Sequence, residues 1–98
     1  MPISNHATHY CALSTAPRRL AFSQAGNTHS DRVLLCLPGL LETRSTFDPL
    51  LSMAHGMPDV RVIALDHCGR GDSDPLPGDT GYTMSVYLQD IVQFLRQE

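Results

Sequence analysis

Two continuous apolar runs constrain the fold of this chain more than any other feature. They occupy residues 32–37 (RVLLCL) and 60–65 (VRVIAL), and each is followed by a loop that contains glycine. Unbroken runs of this kind fit strands buried on both faces, as in the middle of a parallel sheet. Four apolar residues between the runs share one face of a helix: Phe47, Leu50, Leu51 and Ala54. Strand, helix and strand in this order predict one βαβ unit, whose crossover should be right-handed.

The flanking segments complete a small α/β domain. Two short strand-like segments, residues 9–13 and 19–24, precede the first run and are separated by a proline-containing break. After the second run, an amphipathic helix begins with Thr83 as its predicted N-cap. The predicted apolar stripe of this helix consists of Met84, Leu88, Ile91 and Leu95, widened by Tyr87 and Phe94. We therefore expect an α/β fold of about four strands with two helices, in a single domain over 1–98 whose polar start at 1–8 is disordered.

Composition argues against several classes of function. The net charge of −3 comes from scattered acids and bases, so no basic surface for nucleic acid is expected. No apolar run is long enough to span a membrane, and no signal-peptide-like segment opens the chain. The 3 cysteines form no C-x-x-C pair, which favours a reducing compartment and predicts a cytoplasmic protein. The 5 histidines lack metal-ligand spacing, so neither a metal nor another cofactor is expected.

Two loops follow the apolar runs, where a parallel sheet places its functional groups. They are residues 37–47 (LPGLLETRSTF) and residues 66–73 (DHCGRGDS). In type, order and separation by one helical unit, this pair resembles the α/β-hydrolase family. The first loop resembles the His-Gly loop after the family's third strand, and the second matches the D-x-x-G-x-G-x-S pattern after its fourth. The helix that contains Asp90 is similar to the family's next helix, so the resemblance spans residues 19–98 and implies a partial α/β-hydrolase sheet.

The resemblance implies an oxyanion hole in the first loop. Acyl transfer builds negative charge on a carbonyl oxygen, and preorganised N–H groups must meet that charge. The family match assigns one such donor to the backbone N–H of Leu40, with the N–H of Leu41 as the neighbouring alternative. Gly39 permits the sharp turn required, although a βα turn can need glycine for its conformation alone. Pro38 stands where the family usually has a histidine that braces the loop, and its fixed φ can stiffen the turn instead.

The second loop is expected to shape the mouth of the site. Asp66, at the end of a strand, can accept N–H groups of the loop, while Gly69 and Gly71 permit tight turns. Ser73 can satisfy another local backbone group. The resemblance makes Asp66 too early in the chain to be the catalytic acid, because in this family the acid follows the nucleophile.

The same loop contains two short motifs of other families. Its G-R-G sequence opens like a dinucleotide fingerprint, but the third glycine is absent and a proline follows, so no phosphate-binding helix can begin there. Residues 70–72 spell an RGD adhesion tripeptide, which would function only in an exported protein. An adhesion module is therefore less favoured than a hydrolase.

The sequence contains no G-x-S-x-G nucleophile motif. In the family, the strand that carries it would come after the final helix. We therefore expect the chain to belong to a hydrolase with a serine-type or aspartate nucleophile, cleaving an ester or similar bond of a small-molecule substrate, and to be inactive alone. Dehalogenases and epoxide hydrolases of the family share similar early loops, so the resemblance does not decide which kind of bond is cleaved. The alternative is a non-catalytic, truncated or split half that acts only with a complementary segment, with the strand at 33–37 exposed as an edge that favours self-association.

Overall fold

Four strands and two helices make up the chain, as a computed structural model shows for residues 6–13, 18–39, 41–78 and 81–98. In chain order they are β1 (His9–Ala12), β2 (Arg19–Gly26), β3 (Val33–Cys36), α1 (Asp48–Ala54), β4 (Arg61–Leu65) and α2 (Met84–Gln97). A 3₁₀ turn over Arg44–Phe47 leads directly into α1. These elements confirm the predicted α/β class, with its four strands and two helices.

The strands form one mixed sheet in the order β1-β2-β4-β3. β2 pairs antiparallel with β1 and with β4, whereas β3 and β4 run parallel, with Cys36 opposite Ala64. Because α1 connects β3 to β4, this parallel pair is the predicted βαβ unit. The carboxyl ends of β3 and β4 lie at the same edge of the sheet, so the two loops that follow them are neighbours.

The two helices cover different faces of the sheet. Alternate residues of β4 point to opposite faces, so one short strand contributes to two clusters of buried side chains. Ile63 and Leu65 pack with Tyr87 and Phe94 of α2, and Val62 and Ala64 pack with Leu51 and Ala54 of α1. β4 is therefore buried on both faces, as its sequence predicts. β3 lies at the edge of this sheet, and its Val33 and Leu34 each keep 47% of their surface exposed.

The buried face of α2 agrees with only part of the predicted stripe, in which Tyr87 and Phe94 were included. Met84, Leu88 and Leu95 are more than half exposed, whereas Tyr87, Asp90 and Phe94 are the residues that the helix buries. Two causes turn the helix to this face. The aromatic rings bury more apolar area than the leucines, and Asp90 forms a buried ion pair with Arg18 at 2.8 Å.

Thr83 caps α2 as predicted, because its Oγ1 accepts the N–H of Val86 at 3.3 Å. In the part of the chain that the structure describes, no helix is long and apolar enough to cross a bilayer.

The polar N-terminal segment makes ordered contacts where it is described. Residues 1–5 lie outside the described part of the chain. The hydroxyl of Ser23 donates to the carbonyl of Ala7 at 3.0 Å, and the guanidinium of Arg44 donates to the hydroxyl of Thr8. Residues 7 and 8 thus provide acceptors for the side chains of Ser23 and Arg44, and the disorder expected for residues 1–8 stays a prediction.

Candidate functional site

Asp66 connects the two loops at the carboxyl ends of β3 and β4. Its carboxylate is fully buried and accepts the backbone N–H of Arg44 at 2.7 Å and that of Asp72 at 3.1 Å. It also forms an ion pair with the guanidinium of Arg44. One side chain thus holds the loop after β3 and the loop after β4 in a fixed relation. The role of Asp66 in shaping the mouth of the site stays a prediction.

Arg44 is a central residue of this arrangement that the sequence analysis missed. Its side chain is 2% exposed, and its guanidinium donates to Asp66, to Asp72 at 2.9 Å and to Ser23 Oγ at 2.8 Å. A buried charge is costly unless it is paired and hydrogen-bonded, and two carboxylates with a hydroxyl satisfy that condition here. No local pattern distinguishes such an arginine from a solvent-exposed one, because its partners lie far away in the chain.

The glycines of the second loop occupy positions that only glycine fits well. Gly71 has φ +52°, and a Cβ there would lie 2.6 Å from Asp66 Oδ1 and closer still to Oδ2. Gly69 has φ +73°, and a Cβ there would lie 2.7 Å from Tyr82 Oη. That hydroxyl accepts the N–H of Leu76 at 3.1 Å. Both glycines therefore let side chains approach the loop backbone closely.

Ser73 links the second loop to the sheet. Its hydroxyl donates to the carbonyl of Asp66 at 2.7 Å and accepts the N–H of Ala21 at 2.8 Å. Because both hydrogen-bonding roles of the hydroxyl are used for backbone groups, this serine is not presented as a nucleophile. The bond to Asp66 satisfies a backbone group of the same loop, whereas the bond to Ala21 joins the loop to β2, 52 residues earlier.

The first loop leaves β3 at Cys36. Pro38 is buried and Gly39 is exposed. The N–H of Glu42 donates to the carbonyl of Gly39 at 3.0 Å, which closes the turn between these two residues. Leu40, the predicted oxyanion donor, lies outside the described residues. Leu41, the alternative donor, is described, and its side chain is 78% exposed.

A cavity of about 300 Å³ lies between this loop and α2. Its lining includes Leu37, Pro38, Gly39, His67, Tyr87 and Leu88. The imidazole Nε2 of His67 is 3.2 Å from the carbonyl oxygen of Pro38, and its ring meets that of Tyr87 edge-on with centroids 5.2 Å apart. No sequence motif points to a functional role for His67, although it directly follows Asp66 at the carboxyl end of β4. The site therefore combines an apolar cavity, a glycine turn and one imidazole.

The thiol near the site is not poised for nucleophilic chemistry. Burial raises the pKa of the Cys68 thiol to about 11, and the negative charge of Asp90 adds to that effect. The thiolate is the reactive form of cysteine, so at neutral pH this side chain is inert. Within the described ranges, no group of three or more His, Cys, Asp or Glu side chains is placed to hold a metal ion.

Comparisons with known proteins agree with this geometry. No family model matches the chain. A 3-hydroxybutyrate-oligomer hydrolase from Cupriavidus necator is 34% identical over 85 residues, which are 87% of this chain and 28% of that protein. An α/β hydrolase from Novosphingobium aromaticivorans is 33% identical, with a TM-score of 0.78 over 98% of this chain and 33% of its own. A haloalkane dehalogenase from Paraglaciecola agarilytica is 22% identical, with a TM-score of 0.77 over 98% of this chain and 32% of its own.

The chain spans about a third of the length of each of these proteins. The two solved structures superimpose on 98% of this chain. The fold, the ordered pair of loops and these matches identify the chain as part of an α/β-hydrolase fold.

Proposed function

We propose that this chain supplies the oxyanion-hole loop of an α/β-hydrolase whose complete form cleaves an ester or similar bond. The observation that carries the proposal is the pairing of two loops at the carboxyl ends of parallel β3 and β4 through one buried carboxylate, that of Asp66. This network supports a role for the loop after β3 because it gives the turn a rigid base. Preorganised donors need such a base, since a donor that reorients during the reaction stabilises the transition state less.

In the proposed mechanism, a side-chain nucleophile of serine or aspartate type attacks an electrophilic carbon of the substrate. For an ester, negative charge then develops on the carbonyl oxygen, and the N–H of Leu40, or that of Leu41, donates to it. The alcohol of the ester then leaves as the carbonyl re-forms, and water cleaves the bond between the acyl group and the nucleophile, which releases the carboxylic acid and restores the nucleophile. The 98 residues contain no G-x-S-x-G motif. Because the covalent intermediate cannot form without a nucleophile, we expect the chain alone to be inactive.

An ester is the substrate class that the relatives favour. The protein that hydrolyses 3-hydroxybutyrate oligomers, whose units are joined by ester bonds, is 34% identical to this chain. The haloalkane dehalogenase and the epoxide hydrolase among the structural neighbours are each 22% identical, a level that supports the fold alone. The apolar cavity beside the glycine turn suits the acyl part of a small ester better than a charged group.

A chimeric enzyme tests this proposal. The complete chain would replace the matching third of the Novosphingobium hydrolase, which then contributes the missing two thirds. We expect the chimera to hydrolyse p-nitrophenyl butyrate and to react with a fluorophosphonate probe, whereas the chain alone should do neither. A folded chimera that turns over no ester would count against the proposal.

Proline substitutions in the chimera identify the donor. Leu40→Pro and Leu41→Pro each remove one backbone N–H, while Leu40→Ala and Leu41→Ala keep it and change only the side chain. Loss of one oxyanion donor lowers kcat by about 10²–10³-fold. We expect that loss for one proline variant and not for its alanine control. Equal effects of proline and alanine at both positions would show that neither N–H serves as the donor.

A second function is favoured by the exposed edge of the sheet. We propose that, without a complementary segment, the chain associates with itself through β3, because Val33 and Leu34 offer apolar surface beside unpaired backbone groups. Analytical ultracentrifugation should show association that increases with concentration and that Leu34→Lys suppresses. The exposed Met53 on α1 offers a matched control, since Met53→Lys leaves the edge unchanged. A monomer at all concentrations would rule out this function.

A further inference from the structure

We propose that His67 is a positioning residue for the loop after β3, bracing it through the carbonyl of Pro38. The inference rests on the proposed function, because it concerns the turn that would hold the oxyanion donor. The contact joins Nε2 of His67 to the carbonyl oxygen of Pro38 over 3.2 Å. A carbonyl oxygen can only accept, so the contact requires the proton to reside on Nε2.

The topology of the sheet brings these two residues together. Cys36 and Ala64 are paired in the parallel register of β3 and β4. Pro38 follows Cys36 by two residues, and His67 follows Ala64 by three. Both residues therefore lie just beyond the carboxyl ends of the two neighbouring strands. A side chain directly after β4 is therefore within reach of the first peptide of the neighbouring turn.

Packing holds the imidazole of His67 in place. Its ring packs edge-on against Tyr87 with centroids 5.2 Å apart. Tyr87 belongs to α2, and α2 is held to the sheet by the paired contacts of Asp90 with Arg18 at 2.8 and 3.3 Å. A donor fixed in this way can hold its acceptor, whereas a mobile surface histidine could not.

Bracing the Pro38 carbonyl fixes the turn because each peptide unit is planar. The carbonyl of Pro38 and the N–H of Gly39 belong to one peptide unit, so holding one orients the other. The next peptide unit is held through the carbonyl of Gly39, which accepts the N–H of Glu42 at 3.0 Å. His67 and Glu42 therefore anchor the peptide units on both sides of Gly39. Pro38, which has neither an N–H nor a polar side chain, needs such an external donor.

Paired substitutions at His67 separate the donor from the ring. His67→Gln keeps an N–H donor near the position of Nε2, and His67→Phe keeps an aromatic ring against Tyr87 without a donor. His29→Gln, in an exposed turn away from the site, is the control. In the 98-residue chain, we expect the amide of Glu42 to exchange with deuterium about fivefold to tenfold faster in His67→Phe than in the native protein. The Gln variant and the control should remain near the native rate.

Equal exchange in the Phe and Gln variants would overturn the proposal, since a role in packing alone does not depend on the donor. The unmodified chain gives an independent measurement, because ¹⁵N NMR of the imidazole identifies its protonated nitrogen. A proton on Nε2 supports the contact, and a proton on Nδ1 alone overturns it. Neither result depends on a variant folding.

The chimeric hydrolase provides the functional readout. His67→Phe should lower kcat for p-nitrophenyl butyrate about fivefold to tenfold with little change in KM, and His67→Gln should restore most of it. An unchanged kcat in the Phe variant would overturn the positioning role. A chimera that is inactive with native His67 would instead count against the proposed function, while deuterium exchange in the chain still decides the question of the brace.

Discussion

Gly71→Ala is expected to destabilise the chain strongly, because its Cβ would occupy the position of the Asp66 carboxylate. Two costs add. A non-glycine residue at φ +52° costs about 1–2 kcal/mol. The added Cβ would also lie 2.6 Å from Asp66 Oδ1, so the carboxylate must move away from Arg44 and from the N–H of Asp72. Disrupting a buried ion pair costs about 3–5 kcal/mol.

Gly56→Ala is the matched control for this substitution. Gly56 has φ +83°, but a Cβ there meets nothing within 4 Å, so its substitution incurs the backbone cost alone. The difference between the two variants therefore isolates the clash with Asp66, at about 3 kcal/mol or more. For a domain of this size, each kcal/mol shifts Tm by about 4–8 °C, so Gly71→Ala should melt at least about 12 °C below Gly56→Ala.

Thermal unfolding followed by circular dichroism, together with urea titration, measures this difference directly. The wild-type free energy of unfolding for a domain of 98 residues is expected to be about 5–15 kcal/mol, so Gly71→Ala should be largely unfolded if the wild type is near the lower end. If the two variants melt within about 2 °C of each other, the Asp66 network does not hold the loops as described.

Two further predictions concern the packing of α2. Asp90→Leu leaves the buried guanidinium of Arg18 unpaired and should lower the free energy of unfolding by about 3–5 kcal/mol in urea titration, whereas adding Arg18→Met should recover most of the loss. Recovery of none of it would mean that the ion pair is not the cause. The pKa of Cys68, raised from 9.0 to about 11, predicts stability that is present below pH 9 and declines as the pH rises towards 11, because the unfolded chain loses the proton first. Cys68→Ala should flatten this decline in pH-dependent melting, and an unaltered slope would contradict the burial of the thiol.

The strands of the parallel unit could be predicted from sequence because their physics is local. Within the run at 60–65, the four residues Val62 to Leu65 are all apolar, and all four are buried, so both faces of β4 are covered. The positions of the two glycine-containing loops could also be predicted, because each loop begins where an apolar run ends. The parallel pairing of β3 and β4 then followed from a general rule, because two consecutive strands joined by a helix form a βαβ unit.

The elements that could not be predicted depend on partners distant in the chain. The face predicted for α2 was wrong in part, because it omitted Asp90, whose partner Arg18 lies 72 residues earlier. Arg44 was missed because its carboxylate partner Asp66 lies 22 residues away, and periodicity carries no information on such pairs. Leu40 stays a prediction as the oxyanion donor.

The strand order also sets a delay in the synthesis of the protein. β2 lies between β1 and β4, yet the pairing of Phe22 with Leu65 must wait until roughly 40 more residues have been made. At translation rates of about 5–20 residues per second, the edge of β2 that pairs with β4 has no partner for about 2–8 s. During that interval the hairpin of β1 and β2 is only marginally stable in water. Until β4 is made, the edge of β2 that pairs with β4 is therefore an unpaired strand edge, which is a surface prone to aggregation.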